Sequence, residues 1–257
     1  MKRLRFMLIP ALLASCAGPP RPTSENQNSG VRGSTFSNQS SNIESAKSDT
    51  TSPPANSGRS GESVPEAGPV DFSNGLPRGW SEANGGKGAL WKFLTDRLEI
   101  DVPPDRIFSA SAQDAPRIER VIAGDFEIRA RFGLDRLSEG NAAGLFILRN
   151  DVTFVRFELG FEDGPAAVLR SADEGALETL ASERFGGDST ELLLRRKGPV
   201  VEAFWRAPGA GRWEKAGRAT TGYPKAVVVG IFGVSGESGV TAVISDVTLA
   251  PVGNSVN

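Results

Sequence analysis

Residues 125–132 read Asp-Phe-Glu-Ile-Arg-Ala-Arg-Phe, a strict alternation of apolar and polar side chains. Only an extended strand sorts that pattern cleanly. It puts Phe126, Ile128, Ala130 and Phe132 on one face and the charged residues on the other, whereas a helix would scatter both sets around its axis. Residues 155–161 repeat the alternation, with Phe157, Leu159 and Phe161 expected on the core side. Short runs at 143–148, 190–196, 200–205, 226–234 and 240–249 are rich in Val, Ile, Leu and Phe, and Gly, Pro, Asn or Asp punctuate them. Residues 226–234 are apolar on both faces, which predicts a central strand. Residues 174–182 fit either one helical turn or a hairpin arm. Closely spaced strands with no helical stripe predict an all-β fold, an antiparallel sandwich or barrel.

Composition narrows the chemistry. Of 257 residues none is histidine and one, Cys16, is cysteine, and the formal net charge is -2. Without imidazole, Ser-His-Asp and Cys-His catalysis and His-ligated zinc are excluded together. An enzyme built on this chain would have to use carboxylates, hydroxyls, Lys or Arg. The near-neutral charge points away from a nucleic-acid partner.

The N-terminus opens on the basic stretch Met1-Lys2-Arg3-Leu4-Arg5, continues through a short apolar run to Leu12, and closes on Leu13-Ala14-Ser15-Cys16. The apolar run falls short of the roughly 20 residues that a membrane span requires. The whole has the layout of an export signal, and its last four residues resemble the box of bacterial lipoproteins. That resemblance implies cleavage after residue 15 and diacylglycerol and acyl chains on Cys16. Lipidation would consume the only thiol and with it any thiolate chemistry, and two or more chains anchor stably where one does not. Membrane lipid is then a partner through Cys16, and the cell envelope is the expected location. Ala17, standing where an Asp would retain such proteins in the inner membrane of enteric bacteria, favours the outer membrane in a cell that has one.

Residues 16–68 follow as a stretch of Ser, Asn, Thr, Pro and Gly with too few apolar residues to offset the entropy of ordering. They read as a tether, able to reach roughly 150 Å at ~3.1 Å per residue if fully extended. Residues 69–252 form the folded domain, and 253–257 a short tail.

Several phrases within that domain resemble a bacterial branch of the concanavalin A-like lectin/glucanase superfamily, one once described as a regulator of enolase. They are Asp71-Phe72 with Gly79-Trp80, residues 125–128, residues 143–149 with the acidic turn at Asp151, and residues 154–162. The pair 191–196 and 201–205, Arg212-Trp213 and the closing stretch 244–249 complete the likeness. Trp205 stands where an aromatic such as Tyr is usual, and residues 208–211 lack the usual Asp-Gly turn. The resemblance implies a jelly-roll of two antiparallel sheets, with the last strand returning beside the first. Relatives in the wider superfamily bind or cut polysaccharides. The glucanase strand Glu-x-Asp-x-x-Glu is absent from this chain.

Candidate ligand residues come from one strand and from the tryptophans. Alternation puts Arg156, Glu158 and Glu162 on one face, where they could meet sugar hydroxyls or serve as an acid–base pair, and Gly160 would open room between them. The plain alternative is a solvated face with cross-strand ion pairs to Arg129 or Arg131. The resemblance, whose pattern also has Trp at Trp80 and Trp213, implies that these two are in the core, whereas Trp91 and Trp205 are the ligand candidates, with Trp205 and Trp213 facing each other across a hairpin. Asp71, Asp101, Asp151 and Asp246 could supply calcium oxygens, but their scatter suits turns and strand ends better, so no metal or other cofactor is expected. The glycines at 85–88 and 209–211 precede no helix and read as turns.

These features support a non-catalytic module that binds carbohydrate. The alternatives are a carboxylate-dependent glycan hydrolase or lyase, and a structural envelope protein whose partner is another protein.

Overall fold

The computed structural model describes residues 68–85 and 88–252. The signal segment, Cys16, the tether up to residue 67 and the tail at 253–257 lie outside the described residues. So does the middle of the glycine turn at 85–88.

Fifteen strands carry the described chain, with no α-helix among them. In order they are β1 (Gly68–Pro69), β2 (Ser81–Ala83), β3 (Leu90–Phe93), β4 (Leu98–Val102), β5 (Arg117–Ala123), β6 (Phe126–Leu134), β7 (Ala142–Asn150) and β8 (Thr153–Phe161). Next come β9 (Pro165–Asp173), β10 (Ala176–Arg184), β11 (Ser189–Lys197), β12 (Val200–Arg206), β13 (Glu214–Thr220), β14 (Ala226–Val234) and β15 (Val240–Pro251). They form two antiparallel sheets. One runs β13-β12-β11-β6-β15-β4-β3, with β1 added beside β15; the other runs β10-β9-β8-β7-β14-β5-β2. The last strand returns beside the first, through Gly68 opposite Leu249. The result is a jelly-roll sandwich.

Local chemistry sets the hairpins. Between β9 and β10 the two linking residues, Glu174 and Gly175, both take positive φ (49° and 108°), the geometry whose twist matches the flanking strands. Residues 174–182 are therefore a turn and a hairpin arm, not a helical turn. The alternation in β6 buries Phe126, Ile128, Ala130, Phe132 and Leu134 toward the other sheet, against Leu145, Ile147, Phe157, Leu159 and Ile231. Burying each such side chain stabilises the fold by about 1.5–3 kcal/mol before entropy is counted. Phe161 departs from its expected place: it ends β8, outside the sandwich, and is 37% exposed.

A second, smaller core lies on the outward face of the seven-stranded sheet. Phe146, Phe154 and Phe232 point away from the main core, and Phe108, from the segment between β4 and β5, packs on all three. Phe108 stacks on Phe154 with ring centroids 4.7 Å apart and meets Phe146 and Phe232 edge-on at 5.3 and 5.0 Å. This explains why Ala226–Val234 is apolar on both faces. Val229 and Ile231 feed the main core, whereas Phe232 and Val234 feed the second.

Candidate functional site

Arg156 and Glu158 project from β8 on the same outward face that Phe108 covers. Arg156 is 8% exposed and Glu158 3%. Glu158 lies between two guanidiniums: its Oε1 accepts from Arg170 Nε at 2.9 Å, and its Oε2 lies 3.0 Å from Arg156 Nε. Arg170 also donates through Nη2 to Glu162 Oε1 at 2.8 Å, so one β9 arginine holds both carboxylates. Arg156 donates through Nη1 to the Phe108 carbonyl and sits 5.9 Å from the Phe108 ring centroid and 5.8 Å from that of Phe232. Burial pulls the Arg156 pKa below the ordinary arginine value, and the charge of Glu158 works against that pull. On the other flank Arg117 lies 5.0 Å from the Phe108 centroid and donates to Gln113.

The expected solvated face is thus dry at Arg156 and Glu158, because the Phe108 segment roofs it. The cross-strand ion-pair partner of Glu158 is Arg170, which stands opposite Arg156 in register and diagonal to Glu158. Arg129 and Arg131 belong to β6 in the other sheet and cannot serve β8. Glu162, at the strand end, keeps a partly exposed side chain.

The tryptophans divide differently than expected. Trp80 is buried, edge-on to Phe72 at 5.8 Å, as the resemblance implies. Trp91 lies opposite Ile100 in the β3–β4 register and packs on the main core, its buried Nε1 without a hydrogen-bond acceptor among the described residues. Trp205 also turns inward, stacked on Phe185 at 5.4 Å. Trp213, expected in the core, is half-buried on the outside, with the Arg206 guanidinium 4.4 Å from its ring centroid. Trp205 and Trp213 do not face each other, because the strand's pleat separates inward Trp205 from outward Arg206 and the ring it covers.

That outward face of the eight-stranded sheet holds a pocket of about 260 Å³, lined by Arg129, Arg131, Glu191, Arg206, Trp213 and Asp246 around the backbone of Ala130. Its centre follows from register. Glu191 in β11 lies opposite Arg131 in β6 and Arg206 in β12, so three strands put a carboxylate between two guanidiniums. Arg206 grips Glu191 Oε2 through Nε at 2.8 Å and Nη2 at 2.5 Å, while Arg131 Nη2 and the Gly209 N–H reach Oε1 at 3.3 and 3.4 Å. Burial by itself would raise the Glu191 pKa, but these hydrogen bonds and the Arg206 charge outweigh it and hold the group below the ordinary glutamate value. Asp246 takes φ 55° where β15 bulges between Ser245 and Thr248, which aims its carboxylate at Arg131 Nε, 3.5 Å away. Arg129 donates to Thr248 Oγ1 at 2.7 Å, is exposed, and forms no ion pair among the described residues.

Sequence reasoning missed this cluster: it singled out Trp213, Asp246, Arg129 and Arg131 but assigned each of them elsewhere, and it gave no role to Glu191 or Arg206. The outward parity of Arg129, Arg131, Glu191 and Arg206 is readable strand by strand. That β6 and β11 are neighbours, with Arg131 and Glu191 60 positions apart in the chain, is not.

The four aspartates weighed as calcium ligands do not converge. Asp71 accepts from the Ser73 N–H at 2.8 Å, Asp101 pairs with Lys92 at 2.7 Å, the Asp151 carbonyl accepts from Gln113, and Asp246 lines the pocket. Among the described residues no group of three or more Cys, His, Asp or Glu side chains is placed to hold a metal ion.

No protein-family model matches the chain, and no curated protein matches it in sequence. Solved structures do match. A functionally unknown protein from Saccharomyces cerevisiae superposes with TM-score 0.58 at 13% identity, over 68% of this chain and 98% of its own. The GH43 protein BlXynB of Bacillus licheniformis superposes with TM-score 0.58 at 15% identity over 70% of this chain, which spans only 38% of that protein. The exoplasmic/lumenal domain of VIP36, in a form bound to Ca2+ and Man2, superposes with TM-score 0.50 at 11% identity, over 74% of this chain and 88% of its own. At these identities the likeness concerns the fold alone, a β-sandwich of two antiparallel sheets.

Proposed function

We propose that the chain is a membrane-anchored lipoprotein whose sandwich binds carbohydrate without cutting it. The observation that carries the binding half is the pocket on the eight-stranded sheet. It combines a half-exposed indole, guanidinium donors and carboxylate acceptors on rigid strands, the mixture that recognises a sugar through its flat apolar face and its hydroxyls. The fold supports the same reading by analogy, since VIP36 carries Man2 on a related sandwich. A non-catalytic role is favoured because Glu158, the best-placed acid of the β8 pair, is buried and shares Arg170 with Glu162. A hydrolase needs two carboxyls open to the glycosidic oxygen and to water. Arg156, Glu158 and Arg170 act as the support of the seven-stranded sheet, and Trp91 and Trp205 as wedges at the sandwich margins. The lipoprotein half rests on Leu13-Ala14-Ser15-Cys16.

A glycan array probed with the full chain tests the binding half. We expect retention on at least one class of glycan, with loss in Trp213→Ala and in Glu191→Gln but not in Trp205→Phe. Failure to bind any glycan leaves the structural-protein alternative as the reading. Reducing ends released from a polysaccharide by the wild type and not by Glu162→Gln would establish the hydrolase instead. For the anchor, palmitate labelling and membrane fractionation in a bacterial host should both be lost in Cys16→Ser. A Cys16→Ser chain that stayed membrane-bound would refute the anchor.

A further inference from the structure

We infer that the ligand of this pocket is an anionic sugar, one whose carboxylate is received by Arg129. The inference rests on the carbohydrate-binding reading and deepens it. Three guanidiniums and two carboxylates line the pocket, so its side chains leave one positive charge uncancelled. The geometry says which one. Glu191 is saturated by Arg206, Arg131 and the Gly209 N–H, and Asp246 is spent on Arg131. Arg206 is further pinned over the Trp213 ring. Of the three guanidiniums Arg129 belongs to the most exposed residue, and among the described residues it meets only a neutral partner, the Thr248 hydroxyl, through Nε. That single bond tethers the guanidinium at Nε while its terminal nitrogens remain for a ligand.

Such an arrangement discriminates. A planar guanidinium accepts a carboxylate in a two-point, charge-assisted contact and gains much less from a sugar hydroxyl, which is already well hydrated in water. The neighbouring Glu191 and Asp246 do not repel the incoming anion strongly, because each is already matched by a guanidinium within 3.5 Å. Asp246, which meets Arg131 through Oδ2, also offers its Oδ1 to a hydroxyl of the same ring. A uronic acid residue presents both kinds of group together, a carboxylate on one carbon and hydroxyls on its neighbours.

The test uses the full chain and oligomers of galacturonate, glucuronate and mannuronate, each beside the same oligomer with its carboxyls reduced to alcohols. Calorimetric titration should show at least one acid form binding tenfold or more tightly than its reduced partner, with the advantage shrinking as salt rises from about 50 to about 500 mM. Arg129→Gln should abolish the advantage, and Arg129→Lys should restore part of it. Arg129 is exposed, so the unfolding transition of both variants should match the wild type. Three results overturn the inference: equal affinity for every acid and its reduced form, an acid preference unchanged in Arg129→Gln, or no acid form bound. Neutral glycans bound on the array, with any of these results, would leave carbohydrate binding standing and remove only the anionic ligand. An array without hits would remove both.

Discussion

Glu158 is a carboxylate whose neighbours leave it no freedom to react. With Arg156 on one oxygen and Arg170 on the other, its charge is stabilised, and the cost of its burial is offset by interactions that hold only while both partners stay in place. Replacing it by Gln leaves Arg156 buried without its counter-charge. We expect Glu158→Gln to lower unfolding stability by about 3 kcal/mol, as read from urea denaturation. Gly144, across the β7–β8 ladder from Glu158, is constrained in another way. A Cβ there would run into the Phe157 carbonyl oxygen and come within 2.6 Å of the Glu158 Cα, both backbone atoms that cannot yield. Gly144→Ala should therefore cost about 3 kcal/mol by the same measurement, through overpacking rather than lost charge. Little cost would show that β7 and β8 can spread to accept the methyl group.

Among the elements, the segment between β4 and β5 does the most with the least regular structure. Its Phe108 plugs the second core while its backbone carbonyl receives Arg156, and Asp114 fastens the segment to itself through the Ile107 N–H at 2.8 Å. Truncating Phe108 to Ala should destabilise the fold by about 3–5 kcal/mol. Hydrogen exchange should quicken over residues 103–116 and leave β6 and β11 protected, since those strands belong to the other sheet. A uniform rise in exchange would show instead that the roof and the sandwich unfold as one. The sandwich edge offers a second case. At Gly217 in β13 a Cβ would meet Ala181 Cβ at 3.0 Å and Leu169 Cδ2 at 3.1 Å, side chains of the opposite sheet. Gly217→Val should pry the two edges apart and lower stability by about 1–3 kcal/mol.

At the scale of the whole molecule, the absence of histidine shapes the response to pH. No side chain has its ordinary pKa between about pH 5 and 8, so folding stability should be flat across that interval. It should fall beyond that range on both sides. Burial, followed by the charge of Asp173, raises the Tyr223 pKa well above its ordinary 10.0. A raised folded value means that the unfolded tyrosine loses its proton first, so stability declines as pH climbs past about 10. Glu191 is the opposite case: its folded pKa is depressed from 4.5, and its contribution, complete above that value, is lost as pH falls through the folded one. Denaturation midpoints measured from strongly acid to strongly alkaline pH check both arms. Tyr223→Phe should flatten the alkaline arm and Glu191→Gln the acid one. A midpoint that drifted steadily across the neutral region would contradict the flat stretch.

The sequence alone determined that this domain is all-β, because the period of side-chain alternation and the placing of Gly, Pro and Asp are local properties of the chain; that left a sandwich and a barrel both open, and the choice between them came from the resemblance. Ala226–Val234 matches the expected central strand to the residue, and the expected partition of β6 is the observed one. Strands such as Arg117–Ala123 and Pro165–Asp173 are hard to read, since RIERVIA and PAAVLRSAD mix charge and small residues without clean alternation. The sites are less legible still. Parity shows that Arg156 and Glu158 share a face but not that Phe108, 48 residues before Arg156, covers it. Likewise, nothing in the chain announces that Arg131, Glu191 and Arg206 are lateral neighbours. Which face of a strand is wet, and which charges meet on it, depends on sheet order, register and the segments that cross over. Those are non-local contacts, settled only when both sheets close on one core, and they decided which polar face is buried and which holds a pocket.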